Sequence, residues 1–172
     1  MSAENAGGQI PAGRAWTFGD DIDTDQIIPS RFLVSSDPAE LGEHAFTDLR
    51  PAFAEEVGAG DIVVGGENFG SGSSREHAPL SLVGAGVDAI VARSFARIFY
   101  RNGINLGLPV VICPGADRID DGDRVSLQLT EGIVHNETAD ERYDADPLPP
   151  FLQNLVESGG LKPYTRARLG TD

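Results

Sequence analysis

Two hydroxyls and a guanidinium stand side by side at Ser73-Ser74-Arg75, inside the run Gly70-Ser71-Gly72-Ser73-Ser74-Arg75-Glu76-His77. A serine oxygen acts as a base only where positive charge and directed N–H groups stabilise its alkoxide. An arginine beside it suits a carboxylate or phosphate, because its planar fork donates two parallel hydrogen bonds. The run follows a strand-like stretch at residues 61–69 and precedes an apolar, helix-compatible stretch at residues 78–87. A glycine-rich turn therefore delivers these side chains to the start of a helix predicted over residues 74–86. Unpaired N–H groups and the helix dipole favour an anion at such a place. An anionic small molecule is the ligand this pattern predicts. Ser73 and Glu76 also fit a capping box, which would satisfy helix-end donors without any chemistry, and Gly/Ser-rich stretches also serve as linkers. Two nucleotide motifs are excluded. A dinucleotide fingerprint needs glycine where Arg75 stands, and a phosphate-binding loop needs lysine where Ser71 stands.

The elements that must position these groups alternate. Residues 13–18 read as a short strand ending in the acidic turn Gly19-Asp20-Asp21-Ile22-Asp23-Thr24-Asp25. Residues 38–44 read as a short helix, with Asp37 as cap and Pro38 at the first helical position. Strands are predicted at 61–69, 89–92 and 109–113, with helices between them at 74–86 and 94–105, the latter capped by Ser94. This is the pattern of an α/β layer. Residues 124–129 alternate apolar and polar and pair with 132–136 as a β-hairpin. A last helix covers 149–158 and stops at Gly159-Gly160. The 172 residues suit one domain, with residues 1–12 a flexible tail and 13–172 the folded unit.

Composition narrows the function further. The formal charge is −14, from 13 basic and 27 acidic residues. That argues against nucleic acid, which requires a basic face. Lys162 is the lone lysine. Such an acid-rich, lysine-poor surface suits a high-salt cytoplasm, where screening quenches self-repulsion, or simply an acidic mesophilic protein. No apolar run approaches the roughly 20 residues that span a bilayer, and residues 1–12 lack the features of a secretory signal. A cytoplasmic location with no membrane partner is expected. The single cysteine, Cys113, excludes an intrachain disulfide and a thiolate metal or iron–sulfur site built by this chain alone. It reads as a buried strand residue. His44, His77 and His135 have no metal-ligand spacing.

The chain resembles the 3-isopropylmalate dehydratase small subunits of the aconitase superfamily, over about residues 13–160. The resemblance is carried by Asp21-Ile22-Asp23-Thr24-Asp25-Gln26-Ile27-Ile28-Pro29, by residues 70–78, and by Ala92-Arg93-Ser94-Phe95-Ala96-Arg97-Ile98-Phe99. It implies an α/β fold, a three-layer β/β/α swivelling domain like the aconitase C-terminal domain. It further implies docking on a separate large subunit, as a heterodimer or heterotetramer, that carries a [4Fe-4S] cluster; this chain itself would bind no cofactor. The implied reaction isomerises 2-isopropylmalate to 3-isopropylmalate by dehydration and rehydration, in leucine synthesis, and runs only with the large subunit present.

By the same resemblance, Ser73 is the catalytic residue that takes the proton from the substrate carbon. Ser74 and Arg75 hold a substrate carboxylate. Asp25, with Thr24, orients the network, although Asp25 also reads as an Asx-type turn residue. Glu76 and His77 support or cap, and Arg93 and Arg97 receive no role. Relatives that handle tricarboxylates place an arginine in the loop after Phe32, where this chain has Leu33 and Val34. An apolar pair favours an isopropyl or methyl group and penalises an unpaired carboxylate. A citramalate (methylmalate) or homoaconitate hydratase subunit and a non-catalytic swivelling ligand-binding module remain the alternatives. An RNA-binding role is disfavoured by the charge.

Overall fold

The computed structural model describes residues 8–73 and 75–157. Its frame is one mixed sheet. Strands β1 (Gln9–Thr17), β2 (Ile62–Gly65), β3 (Ala89–Ala92) and β4 (Val110–Ile112) pair in parallel. Strands β5 (Arg124–Gln128), β6 (Ile133–Asn136) and β7 (Glu141–Asp144) form an antiparallel meander. The two halves join at β1, which runs antiparallel to β5, so the strand order is β4-β3-β2-β1-β5-β6-β7. The helices are α1 (Thr24–Ile27), α2 (Pro38–Gly42), α3 (Ala52–Glu56), α4 (His77–Ala85), α5 (Arg97–Asn105) and α6 (Pro150–Glu157).

Strand alternation sorts the apolar side chains into two cores. Ile62 and Val64 of β2, with Ala89 and Val91 of β3, share a core with Val125, Leu127, Val134 and Tyr143 of the meander. Val63, Ile90 and Ala92 point the other way, onto Ile27, Leu41, Phe53, Ala78 and Leu82. Meander, parallel strands and helices thus stack as the β/β/α layers implied by the resemblance. Both cores are needed because β2 and β3 are buried on both faces.

Several boundaries differ from the sequence reading. β1 begins at Gln9, inside the expected tail. Gln9 and Ile10 pair with Gln128 and Leu127, and Ile10 is only 2% exposed. Pro11 hides this strand from a propensity reading. It falls where the register shifts between Ile10 and Gly13, a bulge that tolerates a missing N–H. β2 stops at Gly65, short of the predicted Phe69. Gly65 lets the Phe69 ring fold back to within 2.4 Å of where a Cβ would stand, and Asn68 is left-handed at φ 58°. α4 begins at His77 rather than residue 74, and α5 at Arg97 rather than Ser94. Ser94 is a loop residue; its hydroxyl accepts a hydrogen bond from the Asn68 N–H at 2.7 Å. α1, α3 and β7 are elements the sequence reading did not contain. The hairpin, the Asp37 cap on the Ala39 N–H, β3 and β4 stand as expected. α6 matches the predicted last helix as far as Glu157; its expected stop lies outside the described residues.

Candidate active site

β1, β2 and β3 are mutually parallel, so their carboxyl ends open on one edge of the sheet, the usual place for ligands in open α/β sheets. The loops leaving β1 and β2 are bonded to each other there. Asp23 and Ser71 form a parallel bridge. The Gly70 N–H donates to the Ile22 carbonyl at 2.6 Å, and the Thr24 N–H donates to the Ser71 carbonyl at 2.8 Å. Gly70 holds a φ of 85°, and a Cβ there would stand 2.2 Å from the Phe99 side chain. Only glycine meets both conditions. The first loop ends in α1, whose start is a true capping box. The Asp23 carboxylate accepts from the Gln26 N–H at 2.8 Å, and the Gln26 side chain accepts from the Asp23 N–H at 3.0 Å.

These constraints bring four expected site residues together. Thr24 is 2% exposed, and its Oγ1 lies 3.3 Å from the Oγ of Ser73. Asp25 accepts from the Ser30 N–H at 3.2 Å and lies 3.5 Å from Nη1 of Arg75. That Nη1 is buried yet makes no hydrogen bond, so the ion pair leaves a desolvated donor unsatisfied. A charged donor in that state favours an incoming carboxylate, which would restore the lost hydrogen bond. Ser73 is exposed and lines an open depression of ≈ 450 Å³ with Gly70, Gly72, Arg97, Ile98 and Arg101.

The capping-box reading of Ser73 is not what forms. Glu76 is the cap position of α4 and makes no side-chain cap bond. Ser73 therefore precedes the helix instead of opening it, and the dipole, which acts within the first turn, lends it less than expected. Ser74 lies outside the described residues. Leu33 packs against the second core, whereas Val34 is 95% exposed. The base of that loop is clamped. Arg31 donates to Asp48 at 2.8 Å and lies 4.6 Å from the Phe32 ring centre, and Phe32 stacks on His44 at 4.0 Å. No described hydrogen bond or ion pair joins Leu33 or Val34 to Ser73 or Arg75. Arg93 lies 3.9 Å from Glu67, a loose surface pair. Arg101 is the lining residue that sequence reasoning missed; its only signal is its spacing of one helical turn from Arg97.

The described residues do not bring together a cluster or metal site. Among the described residues no three His, Cys, Asp or Glu side chains converge. Cys113 is buried, and burial pushes its thiol pKa up, away from the thiolate a metal requires.

Comparison with known proteins places the chain in a family. The aconitase C-terminal domain model matches residues 54–114. The 3-isopropylmalate dehydratase small subunit of Methanosarcina mazei is 53% identical over 154 residues, covering 90% of this chain and 95% of the relative. The isopropylmalate/citramalate isomerase small subunit of Methanocaldococcus jannaschii is 48% identical, covering 93% and 96%. A crystal structure of 3-isopropylmalate dehydratase from the same archaeon superposes with a TM-score of 0.88 at 40% identity, covering 94% of this chain and 95% of that one. At 53% identity over nearly its whole length, and with the same fold, the chain belongs to the 3-isopropylmalate dehydratase small-subunit family.

Proposed function

We propose that the chain is the small subunit of a 3-isopropylmalate dehydratase, a single swivelling domain that converts 2-isopropylmalate to 3-isopropylmalate with a large subunit. The observation that carries this reading is the buried, unsatisfied Nη1 of Arg75 beside Asp25, next to the Ser73–Thr24 oxygen pair. Arg75, with Ser74, binds a substrate carboxylate through charge-assisted hydrogen bonds. Ser73, as the alkoxide, takes the proton from the carbon beside the hydroxyl-bearing one. Thr24 donates to the alkoxide and Asp25 orients Arg75. The leaving hydroxyl takes a proton from an acid that the large subunit would supply and departs as water as the double bond forms; rehydration in the opposite sense returns that proton to the same acid, and Ser73 gives its own proton to the other carbon. Leu33 and Val34 face the isopropyl group when the complex closes.

The [4Fe-4S] cluster belongs on the large subunit in this reading, and the assembly works in the cytoplasm, at high salt. The named activity of the Methanocaldococcus jannaschii relative supports citramalate as a second substrate. The test is reconstitution. The isolated chain is expected to be inactive, and addition of the large subunit should yield an unsaturated intermediate, detected by its absorbance, and then 3-isopropylmalate. Turnover by this chain alone, or no turnover by the assembled pair, would refute the proposal.

A further inference from the structure

Resting on that reading, we propose that the Arg97–Ile98–Arg101 face of α5 is the surface on which the large subunit docks, through a carboxylate-bearing, partly apolar patch. Arg97 and Arg101 are four apart on a helix and so project from one face. Both are exposed, and no described ion pair engages either one. In a chain of net charge −14, two such cations on one helical turn are an exception to the surface around them. Between them Ile98 is 48% exposed, among the few large apolar side chains left open to solvent.

Arginine around an exposed aliphatic side chain is the composition of a protein interface. The arginine shaped for the substrate is Arg75, with its buried and unsatisfied donor. The α5 face adjoins Ser73 in the same open depression. A partner seated on Arg97, Ile98 and Arg101 would therefore roof Ser73 and exclude water from it. The acidity of this chain sets the sign of the contact. An acidic patch on the partner would be drawn to this face against a net-negative background, so the arginine pair would also favour one orientation of docking.

The experiment measures the dissociation constant of the purified large subunit for four versions of the chain, together with KM for isopropylmalate at saturating large subunit. The versions are wild type, Arg97→Glu/Arg101→Glu, Arg97→Gln/Arg101→Gln and Ile98→Ser, each checked for an unchanged melting temperature. The double glutamate variant should bind at least about tenfold more weakly, with the neutral pair intermediate. Ile98→Ser should weaken binding several-fold. For all versions that bind, KM at saturating partner should change far less than the dissociation constant. Unchanged affinity with a raised KM would overturn the proposal and assign the arginines to the substrate. Unchanged affinity with unchanged KM would overturn it outright. A large subunit that fails to bind even the wild-type chain would overturn the subunit reading and this face with it.

Discussion

Ser73→Ala removes an oxygen whose described partner is the Thr24 hydroxyl at 3.3 Å. If Ser73 carries the proton, kcat should fall by about three orders of magnitude or more, with assembly intact. Because Ser73 is exposed and caps no helix, stability should change by less than about 0.5 kcal/mol. Kinetics and thermal melting on the one variant check both halves; a large stability loss with normal kcat would make Ser73 structural. Residue types alone pointed to Ser73 and Arg75, since serine beside arginine at a glycine-rich turn suits an anion, whereas Thr24 and Asp25 became candidates only through the resemblance. What residue types did not reveal was the local hydrogen bonding. Asp23-x-x-Gln26 and Ser73-x-x-Glu76 fit the same capping pattern, and only the first forms. The choice is tertiary: Gly70 is pinned on Ile22 and Phe99, which carries Ser73 across to Thr24 and away from its own helix.

The loops, as elements, are held as firmly as the strands. Gly70→Ala would place a Cβ 2.2 Å from Phe99 while keeping a φ of 85°. A loss of about 2–3 kcal/mol in unfolding free energy is expected, with activity lost along with it, measurable by denaturant titration. A near-neutral effect would mean that the loop relaxes freely. The loop beyond the Arg31–Asp48 pair behaves differently, since Val34 is 95% exposed on a clamped base. Val34→Arg should leave stability almost unchanged. It should shift kcat/KM toward a tricarboxylate over isopropylmalate by about ten- to a hundredfold, through a new pair with the added carboxylate. Measuring both substrates with both proteins decides it; an unmoved ratio removes Val34 from the substrate's surroundings. The existence of β2, β3 and β4 was legible from their β-branched runs, whereas their order in the sheet was not. Their ends were not legible either, because residues 66–69 and 94–96 have strand-like or cap-like composition but are spent on loop-to-loop contacts such as the Phe69–Phe95 bridge. The seventh strand escaped because Glu141–Asp144 has three exposed positions and one buried one, Tyr143.

For the whole molecule, charge sets the response to solvent. Arg50 bonds Asp121 through both guanidinium nitrogens, at 2.8 and 2.7 Å, and lies 4.5 Å from the Trp16 ring centre. Those bonds and the Thr17 N–H hold the Asp121 carboxyl down to about 2. A depressed carboxylate stabilises the fold above its ordinary range. That contribution is complete above about pH 5 and fades as the pH falls toward 2. Asp121 is 39% exposed, so solvent screening limits the effect, and Asp121→Asn should cost only about 1 kcal/mol at neutral pH. The difference from wild type should vanish near pH 2, as followed by unfolding at several pH values. At fixed neutral pH, the net −14 should make melting temperature rise from about 0.1 M to 1 M KCl as the screening length shortens; a flat profile would remove the high-salt reading and leave the chemistry untouched. The strand order carries a consequence for how the chain is made. β1 sits at the seam, with β2 on one side and β5, more than a hundred residues downstream, on the other. A ribosome that has released β1 through β4 has exposed a parallel layer whose edge strand, β1, still lacks its second neighbour. Until residues 124–128 emerge, that open edge is a template for any passing strand. Synthesis of the meander is therefore the step that ends the nascent chain's exposure to aggregation, and messages stalled between β4 and β5 should yield the protease-sensitive, chaperone-bound species.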